Sequence, residues 1–284
     1  MIGPDRLERV TAGAAVPEQV VAYVCAVAGS RPHMIADCVG YTHEGTLVLV
    51  GYPLRDPRDA RAMTKSVDQA LKIPGLERIT VIGPTRPPQA PETAGATQDC
   101  YFTLPVPAPP PGQKLRNLLQ RARRELSIVQ GRRLENDHTA LVQRYRDERR
   151  LADGTRHIFG QLPRYIEASA ASLVVSGRLA DGRLAAFAVG EFAPLTTAFF
   201  MFCFRDPEIA PPGSADLVLS GLLAEAHRRG HSRMNLGLGV NAGIGFFKRK
   251  WGADPFLPYV EVSWELKPRR LISKLCRLWG KNTP

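Results

Sequence analysis

The chain has 284 residues, with 44% apolar and 23% charged side chains, enough for one large globular domain or two of modest size. No run approaches the roughly 20 apolar residues that span a bilayer, and the N-terminus MIGPDRLERV lacks the apolar stretch of a secretion signal, so a cytoplasmic protein is expected. Net charge is +11 but uneven: residues 1–110 hold ten Lys/Arg against eleven acids, and residues 111–284 hold twenty-eight against sixteen.

A basic half beside a neutral one points to a polyanionic partner: nucleic acid, anionic lipid or a phosphorylated cofactor. The five cysteines, Cys25, Cys38, Cys100, Cys203 and Cys276, form no Cys-x-x-Cys pair, and no histidine cluster has metal-ligand spacing. Reduced thiols and no metal are expected.

Residues 18–28 (EQVVAYVCAVA) read as a helix and 46–54 (TLVLVGYPL) as a buried strand ending at a proline. A helix over 57–72 follows, with Pro57 suited to its first turn. RITVIGP (78–84) is a second strand, PTRPPQAPETAGATQ (84–98) a polar loop, and DCYFTLPV a third strand. The segment PVPAPPPGQ (105–113) favours extended, donor-poor backbone, and the charge balance changes there, so it marks a boundary between a small α/β unit, 1–110, and a second unit, 111–266.

The second unit opens with a basic helix over 113–125 and a short strand over 126–131. Helices near 135–150 and 158–170 come next. SLVVSGRL and RLAAFAVGEF are joined through Asp181-Gly182, a strong hairpin signal, and TTAFFMFCFRD (196–206) adds a third strand. A helix over 214–229 carries Ala215, Leu219, Leu222, Leu223 and Ala226 on one stripe, with Ser214 as N-cap and Gly230 as its stop. Strand 233–238, helix 242–252 and strand 258–266 complete the unit. No convincing short-period repeat is visible.

The richest stretch is GSADLVLSGLLAEAHRRGHSRMNLGLGVNAGIGFFKRKWGADPF, where a loop, an amphipathic helix, a strand and a helix carrying FKRKWGA follow one another. Over about residues 112–266, and best over 212–253, the sequence resembles GNAT-fold acyltransferases. It is most similar to their FemAB-like branch, which includes BioF2-like acetyltransferase domains and aminoacyl-tRNA-dependent peptidyltransferases. The resemblance implies an α/β fold with a GNAT-like mixed sheet flanked by helices. Since FemAB-like proteins often have two such halves, it also implies that residues 1–110 are a degenerate first copy. It implies transfer of an acyl or aminoacyl group, from acyl-CoA or aminoacyl-tRNA, to a small-molecule or peptide amine, with tRNA as a possible partner. Phe247 and Lys248 match the pair that engages the charged donor in the tRNA-dependent members.

Read from the residues alone, Ile244, Phe247 and Trp251 share one helix face, and Lys248 sits at its edge. A lysine there either snorkels to solvent or turns its ammonium towards charge developing on an attacked carbonyl. By the resemblance, the start of helix 214–229 (Gly213, Ser214, Ala215) falls at the donor-phosphate position of GNAT enzymes, with Asn241 as a further donor-binding candidate. It departs from the usual Arg/Gln-x-x-Gly-x-Gly/Ala pattern: two prolines precede its single glycine, and Asp216 lies in the first turn, where it repels a phosphate. Among Glu191, Asp206, Glu208 and Glu225, Glu191 ranks first as a general base, because it ends a strand in an apolar context. The run of glycines Gly237, Gly239 and Gly243 only imitates a dinucleotide fingerprint, since no βαβ unit has room to follow.

Two basic stretches remain. Residues 114–133 carry seven Lys/Arg and one acid. Arg121, Arg123, Arg124, Arg132 and Arg133 are the candidate nucleic-acid or anion contacts there. KPRRLISKLCRLWGKNTP (267–284) predicts a basic amphipathic helix over 268–280, which either docks on the protein or touches an anionic membrane peripherally. The alternative to an enzyme is a non-catalytic module of the same fold that binds RNA or anionic membrane through these basic faces.

Overall fold

A computed structural model describes residues 4–266; the tail helix expected over 268–280 lies outside the described residues. The first half runs α1 (Pro4–Ala12), a short 3-10 turn (Pro17–Gln19), α2 (Val21–Ala28), β1 (Arg31–Ile35), β2 (Cys38–His43), β3 (Thr46–Val50), α3 (Ala60–Ala70), β4 (Arg78–Gly83) and β5 (Ala96–Pro105). The second runs α4 (Gln113–Glu125), β6 (Ser127–Gly131), α5 (Asn136–Glu148), α6 (Asp153–Gly160), α7 (Leu162–Ala168), β7 (Ser172–Arg178), β8 (Leu184–Glu191), β9 (Thr197–Arg205), α8 (Ser214–Arg228), β10 (Arg233–Leu238), α9 (Ala242–Lys250) and β11 (Asp254–Glu265).

Two expected helices are divided, each for a backbone reason. Val20 is extended, at φ −76° and ψ 96°, so the helix expected over 18–28 becomes the 3-10 turn and α2. Pro163 has no N–H to continue α6 and instead sits in the first turn of α7. The sequence reading also passed over the β1–β2 hairpin. Pro32 and Gly40 blur its alternation, and its turn uses Ala36 at φ 52°. Glu44 and Gly45, both at positive φ, make the next tight turn, to β3.

The eleven strands form one mixed sheet in the order β1-β2-β3-β4-β11-β5-β10-β9-β8-β7-β6. Its two halves repeat one plan. A three-strand antiparallel meander (β1–β3, or β7–β9) leads through one helix (α3, or α8) to a strand parallel to the meander's last (β4, or β10). Each half then ends in a long strand, β5 or β11. These two pair antiparallel with each other, and each also pairs with the other half: β11 with β4, β5 with β10. The halves therefore exchange their closing strands. The fold matches the expectation of two GNAT-like halves flanked by helices, and the first copy lacks counterparts of β6 and α9.

Apolar layers cover both faces of the second half. Leu115, Leu119, Leu219, Leu222 and Trp251 belong to the layer under α4, α8 and α9. Leu141, Leu162, Tyr165, Phe187 and Phe204 belong to the layer under α5–α7. No described helix is long and apolar enough to cross a membrane.

Candidate functional site

The parallel strands β9 and β10 pair only at Thr197↔Arg233, Ala198↔Met234 and Phe199↔Asn235. Just beyond, Gly190 of β8 opposes Phe200 and Val189 opposes Phe202, so Met201 is an extra residue that bends β9 away. From Phe200 onward the two strands part and leave a wedge in the sheet.

Helix α9 roofs the wedge on one face. Asn241 caps it by accepting from the Ile244 N–H at 3.0 Å, and Asp99 holds the turn before it through the N–H groups of Gly239 (3.0 Å) and Val240 (2.8 Å). The inward residues of α9 are Gly245 and Lys248, whereas Ile244 and Phe246 are exposed. Of the expected stripe, Trp251 is buried and Phe247 packs against the same layer, while Ile244 in the first turn is exposed.

Phe247 leans towards β9 and stacks on Phe200, with centroids 6.3 Å apart. Lys248, one position on and turned by roughly 100°, leans towards β5. Its ammonium donates to the Leu238 carbonyl and lies 5.6 Å from the Phe102 ring centroid. It is the one buried Lys or Arg among the described residues, 4% exposed. Burial pulls its pKa down to about 8, against the opposing effect of Asp99 and Cys100.

The start of α8 is filled by the chain itself. Gly213 adopts φ 90°, and a Cβ on it would lie 2.6 Å from the Leu118 carbonyl oxygen of α4. Ser214 turns its hydroxyl back to the Pro211 carbonyl at 2.5 Å, and Ala215 is half-buried. Asp216 is buried and accepts from Trp251 Nε1 and Lys250 Nζ, both at 2.8 Å. The positive helix end thus already faces a carboxylate. Asn241 stands apart from these residues, at the other end of α9, roughly 13 Å along its axis.

Glu191 is on the opposite face of the sheet from Lys248. It is 0% exposed. One oxygen accepts from Tyr165 (2.8 Å) and Ser169 (2.5 Å), the other from the N–H groups of Phe192 and Ala193 (both 3.0 Å). Those four donors use all its lone-pair directions, so the strand-end acid proposed as a base has no lone pair free for an outside amine. Asp206 and Glu225 are likewise engaged. Burial works against Asp206, but the Glu208 N–H and the Arg144 guanidinium hold it below the usual carboxylate range. Arg228, then Arg229, hold Glu225 at about 2.

Arg121, Arg123 and Arg124 are exposed on the last turns of α4. Arg132 and Arg133 lie past the other end of β6 and line a groove with Thr139, Pro163 and Ile166, Arg132 donating to the Ala170 carbonyl. The five arginines rim the two ends of an edge strand whose residues are all exposed; they do not form one patch. Glu135, Asp137 and His138 come together nearby. There Arg178 binds both acids, and His138 accepts from the Glu135 N–H at 3.0 Å, so the group serves as a helix start.

A mixed sheet whose parallel strands part beneath a helix is the arrangement of GNAT-type folds. Among solved structures the chain is similar to FemX, with a TM-score of 0.59 and 10% identity over 94% of this chain and 97% of that one. It is similar to the C-terminal domain of a putative lysylphosphatidylglycerol synthetase from Agrobacterium fabrum (TM-score 0.58, 14% identity, 91% of each chain). It is also similar to L-PGS from Bacillus licheniformis (TM-score 0.57, 13% identity, 95% of this chain and 93% of that one). No protein-family model matches the sequence, and no curated protein matches it. The chain has the GNAT fold in its two-half, FemAB-like form.

Proposed function

We propose that the chain is an N-acyltransferase that moves an aminoacyl group from aminoacyl-tRNA to an amine, with Lys248 facing the acyl carbonyl. The observation that carries this reading is the burial of Lys248 on the inward face of α9. A cation out of water is costly, and the Leu238 carbonyl and the Phe102 ring offset that cost only in part, since burial still dominates its pKa. In that dry setting an ammonium stabilises an oxyanion far more than it would in water. Phe247 holds the helix against Phe200 and so fixes the position of Lys248.

The filled start of α8 favours aminoacyl-tRNA over acyl-CoA as donor. A pyrophosphate at Gly213–Ala215 would meet the Leu118 carbonyl and the Asp216 carboxylate. The exposed arginines flanking β6 supply phosphate contacts for an RNA instead. They also support a second reading, a non-catalytic module that binds RNA or an anionic surface. The acceptor is a small-molecule or peptide amine. The reading needs no metal.

Incubation with a pool of charged tRNAs and primary amines, with mass spectrometry of the products, tests the reading. Transfer should appear and should fall by roughly 10²–10³ in Lys248→Ala. Acetyl-CoA should bind with a Kd above roughly 0.1 mM in calorimetry. RNA binding without transfer would favour the second reading, and micromolar binding of acetyl-CoA would restore it as donor.

A further inference from the structure

The far side of the wedge, opposite α9, is crossed by residues 13–20. Asn235, the last β10 residue paired with β9, donates its side-chain N–H to the Ala15 carbonyl at 2.9 Å. Gln19 is fully buried; its oxygen accepts from the N–H groups of Ala15 (2.8 Å) and Val16 (3.3 Å), and its amide donates to the Tyr52 carbonyl at 2.7 Å. Ala14 and Val20 pack on Phe199, with Tyr23 and Met201 alongside. The segment is thus pinned where the strands begin to part.

Glu18 lies three residues beyond Ala15, within about 11 Å of it even at full extension. Its Oε2 accepts from the Tyr101 hydroxyl at 2.7 Å. Tyr101 stands opposite Leu238 in the β5/β10 register, and the Leu238 carbonyl holds Lys248. Glu18 and Lys248 are therefore tied to one cross-strand pair from opposite faces of the sheet.

The groups facing Glu18 are Tyr101 of β5, Tyr23 of α2, Tyr41 of β2, Tyr52 after β3, and Tyr259 and Glu261 of β11. Cys25 and Cys100 lie beside these tyrosines. Among the described residues no basic group acts on Glu18. Among the described residues the Tyr41 hydroxyl is buried without a hydrogen-bond partner. Glu18 itself is only partly covered. Burial pushes it above the ordinary glutamate range, and the Tyr101 hydrogen bond partly offsets this.

We propose that Glu18 is the proton acceptor for the attacking amine, working from the face of the sheet opposite Lys248; the assignment rests on the transferase reading above. The amine nitrogen bonds to the acyl carbon and gives its proton to Glu18. The carbon–oxygen bond to the ribose then breaks, and the departing oxygen takes up the proton held by Glu18. One proton leaves nitrogen and one reaches oxygen, so the carboxylate is restored. The donors on Glu18 are neutral, the Tyr101 hydroxyl and its own N–H, whereas all four lone-pair directions of Glu191 are already taken.

The experiment uses the full chain, a charged-tRNA pool, and ethanolamine, cadaverine and a lysine-containing peptide as acceptor probes, with rates followed against pH. The wild-type rate should fall on the acid side through a limb above the usual glutamate range, because the charged form is the active one. Glu18→Gln should lose that limb and lower kcat by roughly 10²–10⁴ with KM changed by less than about threefold, while its melting temperature is kept. Tyr101→Phe should move the limb to higher pH, since it removes the bond that favours the charged form. A Glu18→Gln variant that keeps rate and limb, or a limb unmoved in Tyr101→Phe, overturns the proposal while the transferase reading stands. If the wild type itself transfers from no donor, that reading fails and the role of Glu18 fails with it.

Discussion

The two halves build the same parallel strand pair and finish it differently. In the first half β3 and β4 stay together for five register pairs, and the Gly51 N–H extends the ladder to the Ile82 carbonyl at 2.6 Å. Met63 of α3 lies across the end of this pair. A Cβ on Gly51 would come within 2.9 Å of it and one on Gly83 within 2.7 Å, so the two glycines let the thioether seal the place where a wedge would open. The start of α3 is closed too, by Asp59 accepting from the Arg61 and Ala62 N–H groups. In the second half the pair separates after three residues, and a helix with a buried lysine covers the gap. One topology therefore gives a closed joint or an opening, according to whether an apolar plug or a bulge stands at the same point.

The largest test of this contrast is Met63→Ala. Removing the plug should destabilise the fold by about 2–5 kcal/mol in denaturant titration, and aminoacyl transfer should persist wherever the variant is folded. Asp216→Ala should come next, at roughly 2–3 kcal/mol, because it leaves the Trp251 N–H and the Lys250 ammonium without their acceptor. If acetyl-CoA binding tightens in that variant, the acid was what excluded it.

Lys248→Met should act in the other direction, adding about 1–3 kcal/mol at pH 7 while lowering transfer by the same roughly 10²–10³ as Lys248→Ala. The folded-state pKa of Lys248, about 8, lies below its ordinary value. The unfolded chain therefore binds the extra proton, and wild-type stability rises as pH climbs through 8 towards 10.5. The advantage of the Met variant should shrink across that window. A lysine variant less stable than wild type at pH 7 would mean that Lys248 is a packing residue.

The smallest effect concerns Glu225 at the end of α8. Its pKa of about 2 is depressed, so its contribution, roughly 1 kcal/mol with partial solvent screening, is present above the ordinary glutamate range and lost as pH falls towards 2. Glu225→Gln should flatten that part of the acid-stability curve.

The second half was far more legible in sequence than the first. The 113–125 helix and the Asp181-Gly182 hairpin carry clean periodicity and turn signals, and α4 and the β7–β8 pair follow them closely. The β1–β2 hairpin hides behind Pro32 and Gly40, and the internal repeat is one of topology without recurring residues. Helix periodicity puts Lys248 at the edge of the face that carries Phe247 and Trp251. It could not say which side of the helix the sheet would take, and that decides burial. Glu191 reads as an available strand-end acid because its four donors come from α7 and the local backbone. Glu18 reads as an ordinary acid at a helix start. Its tyrosines come from positions as far apart as 23 and 259, and only the fold gathers them.

The exchanged closing strands also set a timetable for synthesis. β4 has β3 on one side from early on, but its other edge is filled only by β11, roughly 170 residues later. At ribosomal speed that is an interval of about 10–30 s. During it, β4 and β5 each present an unpaired, largely apolar edge, the kind of edge to which other chains add strands. The first half therefore reaches its native sheet after the second, although it is made before it. A stop between β10 and β11 releases a chain with open edges on β4 and β5, which should aggregate on release from the ribosome rather than persist as a folded fragment.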